Sequence, residues 1–316
     1  MINALIDLFD ATHTWLFEAV VQPVVYATGI MAYQEDAYTA TEWFLLGLIQ
    51  IGVLYAVLRP LESWCPAERW TNRHGVGVDV LYTLLHRLGG FALLVFMVLT
   101  PVMVAATEAL RTVGFAPLNL DAAWPGVTDI PWVSFLLYLV VLDLADYGLH
   151  RLQHRWRWWW ALHAVHHSQQ KMSFWSDDRN HLLDSFLLDA AKAVIALAIG
   201  VEPSQFVGLV IASRILQSVQ HANVPWTWGA VGRLTVSPVF HRRHHAIGFG
   251  HEGRALGCNF AVLFPVWDVL FRTADWSPKV EPTGIRDQLT DQGARDYGQG
   301  FWRQQWLGCK RLLGLS

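Results

Sequence analysis

Residues 88–107, LGGFALLVFMVLTPVMVAAT, run for twenty positions without one charged side chain. As a helix this run rises about 30 Å, the thickness of a bilayer's hydrocarbon core. In lipid every backbone N–H and C=O must be satisfied within the segment, which leaves helix as the fold of such a run. Residues 43–58 (WFLLGLIQIGVLYAVL) are long enough to span once extended back through Tyr38. Only 16% of the 316 residues are charged, against roughly 25% in soluble domains. Seventeen Trp supply material for anchoring at the membrane interface. The chain reads as an all-α, multi-pass integral membrane helical bundle.

The distribution of charge sets the expected orientation. No Lys or Arg precedes Arg59, while Asp7, Asp10, Glu18, Glu35, Asp36 and Glu42 do. By the positive-inside rule the N-terminus lies outside, and the same lack of positive charge argues against a signal peptide. The 38–58 helix then leads to a cytoplasmic loop with Arg59, Arg69 and Arg73, and 88–107 crosses back. The stretch 108–130 has only Arg111 and belongs outside, and 132–149 returns to Arg151, Arg155 and Arg157. Residues 15–33 are apolar around Glu18 and Pro23 and suit either a span or an interfacial helix.

Two apolar segments follow, 183–200 and 204–217, joined by GVEP with no basic residue at the tip. Each is short for a span, and together they read as a hairpin that enters the membrane and returns. Beyond residue 222 the chain is too polar to span. Near its end Phe301, Trp302, Trp306 and Leu307 alternate with Arg303, Lys310 and Arg311, the pattern of a helix lying on the inner leaflet. The organisation expected is one structural unit: N-terminal membrane helices over 1–130, a catalytic segment over 131–275 and an amphipathic tail over 276–316. Cys65, Cys258 and Cys309 are far apart and form no disulfide framework or iron–sulfur motif.

Ten of the fourteen histidines fall between residues 150 and 245. In HRLQH, His150 and His154 are four apart and share a helix face. HAVHH (His163, His166, His167) and HRRHH (His241, His244, His245) use the spacing i, i+3, i+4. Such spacing lets one rigid helix aim several imidazoles at one point. His181 begins the hairpin and His221 ends it, so a topology drawn from Lys and Arg alone puts all ten on the cytoplasmic side. Surface histidines at lipid headgroups are the plain alternative, but ten with helical spacing are costly there unless they bind something. His13, His74, His86 and His251 have no cluster partner and are set aside.

Nitrogen ligands suit zinc, copper, iron and nickel. Ten exceed one coordination sphere, so two metals with about five ligands each are expected, leaving open positions for water or oxygen. Two redox metals beside lipid suggest oxygen activation and attack on an unactivated C–H bond.

The three boxes, in this order and approximate spacing, resemble those of the fatty acid hydroxylase and sterol desaturase superfamily. HLLD (His181, Asp184), HAN (His221, Asn223) and the closing NFAVLFPVWDVLFRT (259–273) are also similar to that family, and the likeness covers about 135–275. The resemblance implies that the ten histidines hold two iron ions, and that dioxygen and two electrons are consumed. No haem or flavin segment is present. The electrons are therefore expected from a separate partner, of ferredoxin, cytochrome b5 or reductase type; no nucleic-acid partner is expected.

Three further residues are candidates to act beside the metals. Relatives often carry a histidine four residues before that of His–x–Asn, and here the position holds Gln217, whose carboxamide suits a metal-bound water. Asn223 belongs to the same motif. Asp146 lies one turn before His150, where its carboxylate is placed to accept that ligand's other N–H; pairing with a nearby Arg is the competing role. Trp156, Trp158, Trp159 and Trp160 read as interfacial anchors.

Hydroxylation of a lipid C–H bond is the leading expectation, with desaturation as the alternative in the same chemistry and a non-catalytic metal protein behind both. A metal transporter would place ligands along a path through the membrane rather than on one side.

Overall fold

The computed structural model describes residues 2–315 apart from Pro117 and Glu202, so Glu202 of the GVEP tip lies outside the described residues. Among the described residues there is no strand, only an isolated bridge between Ala246 and Thr283. Three helices are long and apolar enough to cross a membrane: Met31–Trp64, Gly90–Thr112 and Pro131–Arg155. The 15–33 stretch is divided between α1 (Ile2–Leu16), a π-helical turn and α2 (Gln22–Ala27), and is not one of these three.

The spanning helices are α3 (Gln34–Trp64), α5 (Gly90–Thr112) and α6 (Pro131–Arg155). On α5, Leu94, Met97, Val102 and Val104 are each more than half exposed. A face that apolar fits lipid rather than water. Between α3 and α5 lies α4 (Val76–Arg87), where a loop was expected. Its buried residues include Asp79, Thr83, His86 and Arg87. That polar stripe faces inward, the reverse of a surface helix, because the interior here is ionic. Gly47 of α3 makes the close approach possible, since a Cβ there would lie 1.8 Å from the Arg87 carbonyl oxygen.

α6 ends in HRLQH, and α7 (Arg157–His167) ends in HAVHH. The expected hairpin consists of α8 (Leu182–Ile199) and α9 (Pro203–His221). Its legs take different neighbours, α8 packing on α5, α6 and α7 and α9 on α3, α6 and α10 (Pro238–His244). With α6 they enclose a cavity. Tyr138 on α6 ties down the tip of the hairpin, its hydroxyl donating to the Gly200 carbonyl at 3.1 Å.

Past α10 the chain loops through 246–265 into α11 (Val266–Leu270), and ends in α12 (Phe301–Leu312). α12 turns Phe301, Gln304, Gln305 and Gly308 inward and leaves Trp302 78% and Trp306 65% exposed. It packs against α7 and α4, so the tail belongs to the same body as the boxes.

Candidate metal centre

The sequence spacing decides which imidazoles meet. His150, His154, His167 and His244 bring one ring nitrogen each within 4.8 Å of one another, and His166, His221, His241 and His245 form a second such group. Adjacent helical residues diverge by about 100°. Each HH pair is therefore split, His167 and His244 going to the first group and His166 and His245 to the second. The HxxHH boxes thus serve two points rather than one. His163 stands between the groups, its ring 5.2 Å from that of His154 and 5.3 Å from that of His166.

Six of these rings have their outer nitrogen held. Nδ1 of His150 donates to the Phe260 carbonyl at 2.8 Å, His154 to Leu256 at 3.1 Å and His244 to Cys258 at 2.7 Å. His166 donates to the Arg179 carbonyl at 3.2 Å, His221 to Gln217 at 2.8 Å, and His163 to the Asp184 carboxylate at 3.0 Å. A carbonyl only accepts, so these bonds place the proton on Nδ1 and leave the Nε2 lone pair facing inward.

The inward nitrogens then lack partners. Nε2 of His154, His163, His167 and His244 is buried without a hydrogen bond, and Nε2 of His241 meets only other imidazoles, 3.1 Å from Nε2 of His221 and 3.2 Å from that of His245. Nε2 of His166 and His221 face each other at 3.4 Å with both protons on the outer nitrogens. Lone pairs brought together in a dry interior repel unless a cation lies among them. Protons are a poor substitute, because burial and neighbouring imidazoles hold His166, His167, His241, His244 and His245 well below the usual histidine range. The donor set fits two nitrogen-liganded metal ions, four imidazoles apiece with His163 between them.

The loop that supplies three of the carbonyls is itself fastened by carboxylates. Asp268 accepts the amides of Phe260 and Ala261 at 2.9 Å each, and Asp143 accepts those of Leu263 and Phe264 and the Trp267 indole. Leu256 and Asn259 have positive φ, 57° and 56°, which bends the backbone so that successive carbonyls point at different histidines. Asn259 is locked in that conformation by bonds to Phe240, and to both the amide and the carbonyl of Asp275.

Other partners are ionic and buried. Arg87 binds Asp177 at 2.8 Å and Asp178 at 2.7 Å, and Asp177 lies 3.5 Å from Nδ1 of His221. Breaking such a pair costs about 3–5 kcal/mol, because the surviving charge stays buried. Arg179, whose carbonyl receives His166, is held by Asp79 at 2.8 Å. Burial pushes the Asp79 carboxyl up to about 6 even beside that guanidinium. None of these residues stood out in the sequence, where isolated Asp and Arg carry no spacing signal.

Three expected site residues are placed elsewhere, and a fourth lines the cavity beside the histidines. His181 caps α8, its Nδ1 accepting from the Leu183 amide at 3.2 Å and its Nε2 donating to the Gln305 carbonyl at 2.9 Å. Both ring nitrogens are used, so it has no lone pair for a metal. Gly308 accommodates that ring, as a Cβ there would lie 2.3 Å from it. Asn223 accepts from the Glu68 amide at 3.0 Å and donates to the Glu68 carbonyl at 2.8 Å, fastening a loop rather than facing the centre. Asp146 pairs with Lys192 at 3.6 Å and not with His150, whose Nδ1 the Phe260 carbonyl has taken. Gln217 lines the cavity, but its amide nitrogen donates to Ser213 at 2.9 Å. Conversely His251, set aside in the sequence, stacks on Trp160 at 3.5 Å, with its ring 5.6 Å from that of His154.

Two cavities flank the histidines. The one between α6, α8 and α9, about 150 Å³, reaches His150, His163, His166, His221 and His241. The other, about 320 Å³, reaches His167 past Trp160 and His251.

Residues 135–273 match the family described as fatty acid hydroxylase. The chain is 24% identical over 302 residues to the ornithine lipid hydroxylase OlsE of Rhizobium tropici, covering 92% of this chain and 85% of that protein. It is 29% identical over 156 residues to the alkylglycerol monooxygenase of Caenorhabditis elegans, 49% of this chain but 28% of that one. With the human alkylglycerol monooxygenase the figures are 27% over 145 residues, 46% and 31%. The chain therefore spans most of the first relative and under a third of the other two. No solved structure matches at a significant level.

Proposed function

We propose, from the premise that residues 135–273 make this chain a member of the fatty acid hydroxylase family, that it is a membrane-bound di-iron oxygenase that hydroxylates a lipid. The observation that carries the reading is the pair of four-histidine groups with inward lone pairs at the end of a membrane cavity. Iron bound there would supply the one-electron chemistry that activates dioxygen toward a C–H bond.

The chain's own residues do the rest. Backbone carbonyls and Asp184 keep six imidazoles in the tautomer that offers Nε2. Leu139, Leu142, Leu188, Leu209 and Val210 give the cavity an apolar wall for a lipid chain. The burial of the histidines keeps bulk water from the reacting carbon. The histidines sit on the cytoplasmic side, and a separate one-electron carrier supplies the reducing equivalents. Similarity to a lipid hydroxylase over 92% of the chain supports a lipid substrate.

The test is lipid profiling of cells with and without the protein, alongside a His244→Ala chain. A lipid 16 mass units heavier, seen only with the unaltered chain, is the expected result. A product 2 units lighter would assign desaturation, and no change in any lipid would overturn the reading.

A further inference from the structure

The cavity between α6, α8 and α9 changes character along its length. Its wall of Leu139, Leu142, Leu188, Leu209 and Val210 gives way to Asp146, Asp189, Lys192 and Arg214 before the histidines are reached. Asp146 precedes His150 by four residues, about 6 Å of helix rise. Ionisable groups on membrane-embedded helices are costly and are retained for a purpose.

Their partners are unequal. Lys192 and Asp146 hold each other at 3.6 Å. Asp189 has no hydrogen bond or ion pair among the described residues. Arg214 donates to the His86 carbonyl at 3.4 Å and meets no carboxylate within ion-pair distance among the described residues. One anion and one cation are thus left on the same cavity without a contact ion pair, Arg214 feeling Asp178 across it and Asp189 facing His86. Two buried atoms point the same way. Gln220, 0% exposed, anchors its amide nitrogen on Val262 and leaves Oε1 unpartnered, and His86, 4% exposed, leaves Nε2 unpartnered. Both residues line this cavity.

A bare hydrocarbon end threaded to the histidines would strip water from Asp189, Arg214 and Lys192 and return nothing. Each desolvated ion costs more than several buried CH₂ groups return. We infer that this cavity binds the zwitterionic head of a lipid, its ammonium toward Asp189 and its anionic group toward Arg214. The carbon presented to the histidines is then close to that head, and the tail lies along the leucine wall. The inference takes from the proposed function only that a lipid enters here.

Binding tests it directly, on the full chain in neutral detergent, with and without metal. The probes are three amphiphiles with one C16 chain: N-hexadecylglycine, hexadecylamine and hexadecanol. The zwitterion should be retained at least about tenfold over the alcohol. Asp189→Asn and Arg214→Gln should each shrink that ratio to about twofold, while Asp129→Asn, on an exposed loop, should leave it intact. Equal retention of all three probes, or discrimination that survives both cavity substitutions, overturns the inference. Competition by N-methylglycine as strong as by its long-chain analogue would assign the site to a soluble zwitterion and overturn the lipid head. Because binding is read without turnover, a chain that discriminates but oxidises nothing refutes the proposed function alone. A chain that oxidises a lipid without discriminating refutes only this one.

Discussion

Asp184 receives Nδ1–H of His163 on one carboxylate oxygen at 3.0 Å, while its other oxygen takes Gln153 and the Trp159 indole at 2.7 Å each. One buried carboxylate thus sets the tautomer of the histidine between the two metal groups and ties α6, α7 and α8 together. Asp184→Ala leaves three buried donors unmatched, at about 1–3 kcal/mol each, and should lower the melting temperature sharply. Asp184→Asn is the finer test. Its amide oxygen still serves Gln153 and Trp159, but its NH₂ faces His163 and drives that proton to the inner nitrogen. The fold should hold while metal affinity falls about 10- to 100-fold, measured as metal per chain after dialysis against a graded chelator.

His181 and His244 should part company. His244→Ala removes one of four converging nitrogens, and metal content should drop. His181→Ala removes only a helix cap and a bond to the Gln305 carbonyl. It should cost about 1 kcal/mol of stability and leave metal per chain unchanged. Equal metal loss in both would show that the α8 cap moves into the centre.

The pattern of success in reading the sequence has a physical cause. The span α5 was visible because an uncharged run of bilayer length has one outcome, α3 and α6 because their apolar stretches run into arginine-bearing segments, and the boxes because spacing on a helix is geometry. α4 was hidden because its polar residues buried against Asp177 and Asp178 look like a surface stripe. His181 and Asn223 were assigned by motif position, which does not reveal whether their polar atoms are already engaged. Most of the outer acceptors are peptide carbonyls, which no side-chain pattern announces.

Gln217 turns its amide nitrogen to Ser213 and lines the cavity that also reaches His166, His221 and His241. Gln217→Ala should retain the metal content of the unaltered chain, by elemental analysis of purified protein. A loss of about half the metal would mean that the carboxamide, or a water it holds, completes the second group.

Acid should destabilise the metal-stripped protein. His166, His167, His241, His244 and His245 have depressed pKa values in the fold, whereas unfolded histidine titrates near about 6.5. As pH falls below that value the unfolded chain takes up protons that the folded one refuses, so stability drops until the folded pKa values are passed. Above about pH 7 these groups are neutral in both states and the dependence vanishes. The melting temperature of stripped protein at pH 5.5 should lie below that at pH 7.5, two conditions chosen to bracket about 6.5. An unchanged or higher value at the lower pH would contradict neutral burial of these imidazoles.

Topology can be checked at exposed positions. Gln170 and Arg233 are exposed near the boxes, and Gly126 is exposed in the loop before α6. Cysteines at the first two should be labelled by an impermeant reagent from the cytoplasm and one at Gly126 from outside. Ser168, though closer to a box, is 4% exposed and would not report. Gln170 and Arg233 reacting from opposite faces would contradict a shared centre.

The carbonyls of Leu256, Cys258 and Phe260 have a consequence for how such a chain can diverge. Any amino acid placed at those positions still carries a carbonyl, so substitution there cannot erase the acceptors of His154, His244 and His150. The acceptor itself is thus indifferent to the side chain, so exchange at the half-buried Cys258 leaves the hold on the His244 imidazole intact. The constraint passes to the residues that hold the path: Asp143 and Asp268 with their paired amides, and Asn259 in its left-handed conformation. Drift should be widest at 258, and narrow at 143 and 268, at 256 and 259 with their left-handed backbone, and at 260, whose ring is fully buried against the rings of His150, His154 and His244.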